Sequence, residues 1–250
     1  MALSAFVSVP ELMLRVRFPT EVHDVKEFIV PNQFHIRQAL LDVANKYGAV
    51  TPWNCWDWVC REVQYPKDSR GVPNEYHRMD SYALRQNFVV GAGMVVQPMK
   101  RQQVWWEWFD FPWEILAGEP KVADCDGDAI LLCNLLRTIG ESAKVALGGF
   151  STDKEALSHA WVVTNGQVWE TTTDEAGLAL PEDNQKYIPL IYFDENLIQL
   201  DPSVYSALKD LDYVPALGDM YRGLGIGRNC QKKMQVMCEM LNGSLSCDFV

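Results

Sequence analysis

Long apolar runs are missing from this 250-residue sequence. A membrane-spanning helix needs about 18 to 20 consecutive apolar residues, and no segment approaches that length. The first ten residues are mildly apolar but contain no lysine or arginine, so they lack the basic start of a secretory signal. We therefore expect neither a membrane partner nor export.

Excess positive charge is also missing. The chain has 22 lysines and arginines against 33 aspartates and glutamates, which gives a net charge of −11. Binding to a nucleic-acid backbone needs a concentrated basic surface, so we expect no nucleic-acid partner. The hydrophobic content of 48% and the charged content of 22% are typical of a globular protein that can bury a substantial core.

The cysteine pattern does not indicate a disulfide framework. Seven cysteines, an odd number, are spread along the chain, which fits a reducing compartment. We therefore expect a cytoplasmic location, or a virion if the protein is viral. The cysteines do not form the paired motifs of a structural zinc site.

A calcium loop is also not expected, although aspartates occupy alternate positions in one segment. Asp124, Asp126 and Asp128 fit the start of such a loop, but the position that requires glycine is Ala129. The position of the bidentate glutamate is Leu135. The sequence thus predicts no metal and no cofactor.

The segment from Ala123 to Gly140 is predicted to be a helix that begins at a cysteine. Asp124 is the predicted N-cap, which places Cys125 in the first turn. The free N–H groups of the first helical turn favour a thiolate at Cys125 and could also stabilise an oxyanion beside the sulfur. The nearby aspartates act in the opposite direction, because their negative charges raise the pKa of the thiol. Cys125 therefore needs a base to act as a nucleophile. The apolar residues recur at helical spacing and predict one core-facing side: Ala129, Ile130, Leu132, Cys133, Leu135, Leu136 and Ile139.

A predicted hairpin supplies the base. Asn165-Gly166 is a strong signal for a two-residue turn between two β-rich runs. This turn predicts four pairs: Thr164 with Gln167, Val163 with Val168, Trp161 with Glu170, and His159 with Thr172. His159 and Glu170 then share a face of the sheet, and Asp174 joins them if the strand continues. One imidazole nitrogen of His159 could contact the acid while the other lies about 3 to 4.5 Å from the sulfur of Cys125. Cys125, His159 and Glu170 are therefore the predicted catalytic residues, and Asp174 is the alternative acid.

These motifs resemble those of the transglutaminase-like cysteine hydrolase superfamily. The residues that carry the resemblance are Trp113-Glu114-Ile115-Leu116-Ala117-Gly118, Asp124-Cys125-Asp126-Gly127-Asp128-Ala129, the strand segment His159-Ala160-Trp161 and the upstream segment from Trp58 to Asp68. They are similar to segments of bacterial, archaeal and phage members and cover roughly residues 35 to 175. The chain departs from the family at Ala123, which is usually glycine, and at Glu170, where the acid is more often an aspartate or asparagine further on.

The resemblance implies an α+β fold with a papain-like transglutaminase core, in which the Cys-bearing helix packs on an antiparallel β-sheet. We expect residues 1–30 to form an N-terminal β-rich extension, residues 31–178 the core, and residues 179–250 a C-terminal extension that ends in a helix. The implied activity is that of a cysteine peptidase, amidase or acyltransferase that acts on amide bonds of a peptide or protein. Water or an amine could be the acceptor, and water is the default.

A different class of function is also compatible with the sequence. The chain could be a non-catalytic structural or assembly protein, such as a virion component, that keeps a transglutaminase-like fold. The long acidic remainder outside the core and the departure at the third catalytic residue favour this alternative. The N- and C-terminal extensions would then bind the assembly partners.

Overall fold

The computed structural model describes residues 6–17, 21–65, 109–151, 156–173, 176–209, 211, 213–215, 217, 220 and 221. In these residues the protein has an α+β fold with a large antiparallel sheet. No helix among them is long and apolar enough to span a membrane. Asp174 and the predicted C-terminal helix lie outside the described residues.

Seven antiparallel strands form the main sheet, in the order β1-β11-β10-β6-β7-β8-β9. They are β1 (Val7–Val9), β6 (Lys144–Ser151), β7 (Ala156–Thr164), β8 (Gln167–Glu170), β9 (Leu178–Pro181), β10 (Tyr187–Phe193) and β11 (Ile198–Leu200). Strand β1 comes from the predicted N-terminal extension, and strands β10 and β11 come from the predicted C-terminal extension. The sheet is therefore assembled from all three predicted parts of the chain.

Five helices and four short strands complete the described structure. The helices are α1 (Phe34–Tyr47), α2 (Pro52–Glu62), α3 (Pro112–Leu116), α4 (Cys125–Thr138) and α5 (Pro202–Leu208), and a 3-10 turn covers Val25–Phe28. The strands β2 (Met13–Arg17) and β3 (Glu21–Asp24) form a hairpin, and β4 (Val63–Gln64) pairs in parallel with β5 (Lys121–Val122). Helix α1 ends at Gly48, whose φ of 76° is left-handed, as a glycine C-cap allows.

Helix α4 is the central helix of the core. The Asp124 side chain accepts from the backbone N–H of Gly127, so the predicted cap and the predicted start at Cys125 are confirmed. Every residue from Asp126 to Leu136 is buried. The predicted core-facing residues between Ala129 and Leu136 are therefore confirmed as buried, and the other residues of this stretch are buried too, because α4 packs against α1, α2, α3, β6 and β7.

The two faces of strand β7 belong to different clusters of buried side chains. Ala160 and Val162 join the main core together with α4. Trp161 alternates with them and packs in a second cluster with Val168 and Tyr187 on the opposite face. His159 lies two residues before Trp161, so its side chain projects to the face of this second cluster.

Candidate active site

A tight hairpin brings His159 and Glu170 together. Asn165 and Gly166 have φ values of 53° and 71°, as a type I′ turn requires. The two predicted pairs nearest the turn are present, so the predicted register is confirmed there: Thr164 with Gln167 and Val163 with Val168. Nε2 of His159 lies 2.9 Å from Oε2 of Glu170. The predicted contact between imidazole and carboxylate therefore exists.

The ladder between β7 and β8 stops at the pair of Val162 with Trp169, so the predicted pairing of Trp161 with Glu170 is not formed. Strand β8 ends at Glu170, so the predicted pairing of His159 with Thr172 is wrong. The cause is the Glu170 side chain itself. Its Oε1 accepts the backbone N–H groups of Thr171, Thr172 and Thr173 at 2.9, 2.8 and 3.2 Å. These bonds turn the backbone away from β7, because a side-chain acceptor replaces the strand ladder.

Glu170 is fully buried, and each of its oxygen atoms is bonded. Oε2 also accepts from the Tyr187 hydroxyl at 2.7 Å, and the backbone carbonyl accepts from Nε1 of Trp56 at 2.8 Å. Burial raises the pKa of Glu170, but the hydrogen bond and charge of His159, the N–H of Thr172 and the Tyr187 hydroxyl outweigh it and lower the pKa to about 2. Glu170 is therefore an ionised acceptor.

The ionised carboxylate fixes the tautomer of neutral His159. Because a carboxylate can only accept, Nε2 of His159 must be the donor in the bond to Glu170. Nδ1 of neutral His159 then carries the lone pair. This is the ring nitrogen that could accept a thiol proton.

The side chains of Tyr187 and Glu170 meet on the face of the sheet that carries His159. In a flat sheet β8 and β10 would be about 14 Å apart, because β6 and β7 lie between them. The 2.7 Å contact between Tyr187 and Glu170 bridges that separation. The His159 ring lies among the rings of Phe150, Trp161 and Tyr187, with centroids 5.6, 5.9 and 6.4 Å away, and is itself buried. The imidazole is thus held by ring packing as well as by Glu170.

Cys125 is the first residue of α4 and is half-buried. Helix α4 packs against the face of β7 that carries Ala160 and Val162, whereas the His159 side chain projects to the opposite face. One turn after Cys125, the buried carboxyl of Asp128 has a pKa raised well above its usual range, by burial first and then by the charges of Asp124 and Glu170. The charge of Glu170 therefore acts on Asp128, in the first turn of α4. The distance predicted between the sulfur of Cys125 and His159 stays a prediction.

Asp128 also changes the electrostatics expected around the thiol. Its raised pKa favours the uncharged acid, so it opposes a Cys125 thiolate less than three ionised aspartates would. Asp124 is held in its cap, where it accepts from the N–H of Gly127. In the part of the chain that the structure describes, no group of three or more His, Cys, Asp or Glu side chains could hold a metal ion.

The other described cysteines are poor nucleophiles. Burial raises the pKa of Cys55 to about 12, and burial is also the main cause that raises the pKa of Cys60 to about 12. Cys133 is fully buried, and burial raises its pKa as well. A thiol with a raised pKa supplies little thiolate at neutral pH.

Comparisons of the chain with protein-family models, with curated proteins and with solved structures gave no significant match.

The segment from Trp113 to Gly118 has a structural role in the described protein. Glu114, which lies in α3, forms a two-pronged ion pair with Arg17 of β2, at 2.6 and 2.7 Å. It also accepts the backbone N–H of Phe111 at 2.8 Å. These bonds attach α3, which packs on α4, to the N-terminal hairpin.

Tyr187 and Trp56 contact Glu170 and were not predicted. Tyr187 begins β10, in a part of the chain that the family resemblance does not cover. Trp56 lies in α2, two residues before the segment from Trp58 to Asp68 that carries part of the resemblance. Local sequence signals cannot identify either residue, because both contacts join elements that are distant in the chain.

Proposed function

We propose that the protein is a thiol-dependent hydrolase or acyltransferase that acts on amide or peptide bonds, with Cys125, His159 and Glu170 as its catalytic residues. The observation that carries the proposal is the buried bond between His159 and an ionised Glu170. The resemblance of the Asp-Cys and His-Ala-Trp motifs to transglutaminase-like cysteine hydrolases supports it. A papain-like transglutaminase core is part of the same proposal.

In the proposed reaction, Nδ1 of His159 takes the thiol proton of Cys125. The thiolate attacks the carbonyl carbon of the substrate, and backbone N–H groups stabilise the oxyanion. The N–H groups of Gly127 and Asp128 already donate to Asp124, so the oxyanion donors would be other groups. The imidazolium, held by Glu170, then gives its proton to the leaving amine, and a thioester remains on Cys125.

Water completes the proposed cycle. His159 takes a proton from water as its oxygen attacks the thioester, and the thiolate of Cys125 leaves. An amine in place of water would give a transamidation product. A peptide or protein would be the substrate, in the cytoplasm or in a virion.

A second candidate is a non-catalytic assembly protein that keeps the same fold. The observation that favours it is the near-complete burial of His159 and Glu170. Together with Tyr187 and Trp56 they tie β7, β8, β10 and α2 to one another, and such a network can serve stability alone.

A peptide-library assay separates these two candidates. The full-length protein is incubated with mixed peptides, with and without a primary amine, and the products are identified by mass spectrometry. The proposed function predicts amide cleavage or amine incorporation that Cys125→Ser and His159→Ala both abolish. No product and no thioester with wild-type protein would favour the assembly protein, and products that persist in Cys125→Ser would exclude Cys125 as the nucleophile.

A further inference from the structure

Tyr187 shares an acceptor atom with the proposed catalytic base. Its hydroxyl donates to Oε2 of Glu170 at 2.7 Å, and Nε2 of His159 lies 2.9 Å from the same oxygen. The other carboxylate oxygen is occupied by backbone N–H groups from the turn that follows β8. Two side-chain donors therefore meet at one buried oxygen.

We propose that Tyr187 is a positioning residue, whose hydroxyl fixes the Glu170 oxygen that keeps the Nε2 proton on His159. The consequence for Cys125 rests on the proposed function. The consequence for the His159 ring follows from the geometry alone.

The hydroxyl is rigidly placed. The Tyr187 ring packs against Phe150 and Trp161, each with a centroid separation of 5.1 Å, and the side chain is buried. A hydrogen bond between a rigid donor and a charged acceptor restricts the direction of the carboxylate. The bonds at Oε1 hold one end of the Glu170 carboxylate, and Tyr187 holds the other end, toward His159.

Loss of the Tyr187 hydroxyl should change the hydrogen bond of His159 while the protein remains folded. Phenylalanine keeps the ring that packs on Phe150 and Trp161, so Tyr187→Phe removes one oxygen atom. Oε2 of Glu170 then has one donor fewer, and its direction relative to His159 is no longer fixed. The hydrogen bond from Nε2–H of His159 to Glu170 should break more often and expose the proton to water. The population of the tautomer with the proton on Nδ1 should increase.

Strand β10 offers a matched control. The Tyr192 hydroxyl lies 3.5 Å from Oε1 of Glu182, an exposed residue away from His159. Tyr192→Phe removes the same atom from the same strand. It should leave the His159 ring unchanged.

Nuclear magnetic resonance of the full-length protein with ¹⁵N-labelled histidine tests this inference. In wild type, neutral His159 should carry its proton on Nε2 and show proximity of that proton to Tyr187. In Tyr187→Phe, exchange of the Nε2 proton should accelerate about ten- to hundredfold, the size expected for loss of a hydrogen bond to a charged group. Tyr192→Phe should match wild type, and thermal unfolding should show that both variants remain folded.

Iodoacetamide labelling of the same proteins separates failure of this inference from failure of the proposed function. Labelling of Cys125 at neutral pH should slow at least about tenfold in Tyr187→Phe, the lower end of the range for the lost bond. An unchanged Nε2 exchange rate, or no proximity between Tyr187 and the Nε2 proton in wild type, overturns the positioning role. If His159→Ala does not slow Cys125 labelling, the proposed function fails, and the exchange rate in Tyr187→Phe still decides the role of Tyr187.

Discussion

Replacing Glu170 with glutamine should invert the tautomer of His159. The three N–H groups of the turn after β8 require an oxygen, so the glutamine carbonyl should occupy the Oε1 position. Its NH₂ group then stands at the Oε2 position and donates to His159. Nε2 must become an acceptor, and the ring proton moves to Nδ1, the nitrogen that must be vacant to take the thiol proton.

The cost to catalysis should be large. In a Ser-His-Asp triad the change from aspartate to asparagine lowers kcat about 10⁴-fold through the wrong tautomer, and we expect a loss of roughly 10³- to 10⁴-fold in Glu170→Gln. Asp174→Asn is the control, because it removes the alternative acid by the same change. Equal rates for wild type and Glu170→Gln would refute the role of Glu170, and a larger loss in Asp174→Asn would assign that role to Asp174.

The same variant should also lose stability, with a defined pH dependence. Lowering the Glu170 pKa from 4.5 to about 2 corresponds to about 3 kcal/mol of stability at neutral pH. Because the pKa of the folded protein is depressed, this contribution is complete above about pH 4.5 and is lost as the pH falls toward 2. Urea unfolding between pH 2 and 7 measures it, and the Glu170 contribution to the acid loss should be absent in Glu170→Gln. The same acid dependence in both proteins would contradict the assignment.

Three further predictions concern stability and thiol reactivity. Asp128→Asn should raise the free energy of unfolding more at pH 8 than at pH 5. Because the pKa of Asp128 is raised in the folded protein, the wild-type carboxyl destabilises the folded state more as the pH rises. No gain in the free energy of unfolding at pH 8 would contradict this prediction. Gly166→Ala should cost about 1 kcal/mol in urea unfolding, because its φ of 71° is left-handed while the space around it is open, and Gly166→Asn should cost less. Cys55 and Cys60 have pKa values of about 12, so iodoacetamide should label them at neutral pH only after the protein unfolds. Labelling of the folded protein at the rate of an exposed thiol would show that burial does not protect these two cysteines.

The features that local sequence predicted are those that local geometry determines. Asn165-Gly166 sets the hairpin register next to the turn, because few residues adopt two consecutive positive φ values. Asp124 caps α4 through a bond to a residue three positions away. Both features required only neighbouring residues, and the turn alone was enough to predict that His159 and Glu170 meet.

The features that the sequence did not predict depend on contacts between distant segments. The Tyr187 contact joins β10 to β8 across the two strands that lie between them, and no pattern near residue 187 encodes that contact. Strand β1 pairs with β11 from the other end of the chain, so the boundaries expected at residues 30 and 178 do not divide the sheet. The end of β8 depends on the Glu170 side chain, which accepts the backbone N–H groups of Thr171 and Thr172. These bonds compete with the strand ladder, and β-propensity does not describe that competition.

The pH dependence of Cys125 labelling tests the central claim most directly. The full-length protein is treated with iodoacetamide across a range of pH, and the modified cysteines are mapped by mass spectrometry in wild type and in His159→Ala. The account predicts that Cys125 reacts faster than the other cysteines, with a midpoint well below the value of about 8.5 for an ordinary thiol. It also predicts that His159→Ala moves this midpoint up by more than about one pH unit, because the imidazolium no longer stabilises the thiolate. An unchanged midpoint in His159→Ala would contradict the account and leave Cys125 as an accessible thiol without a catalytic partner.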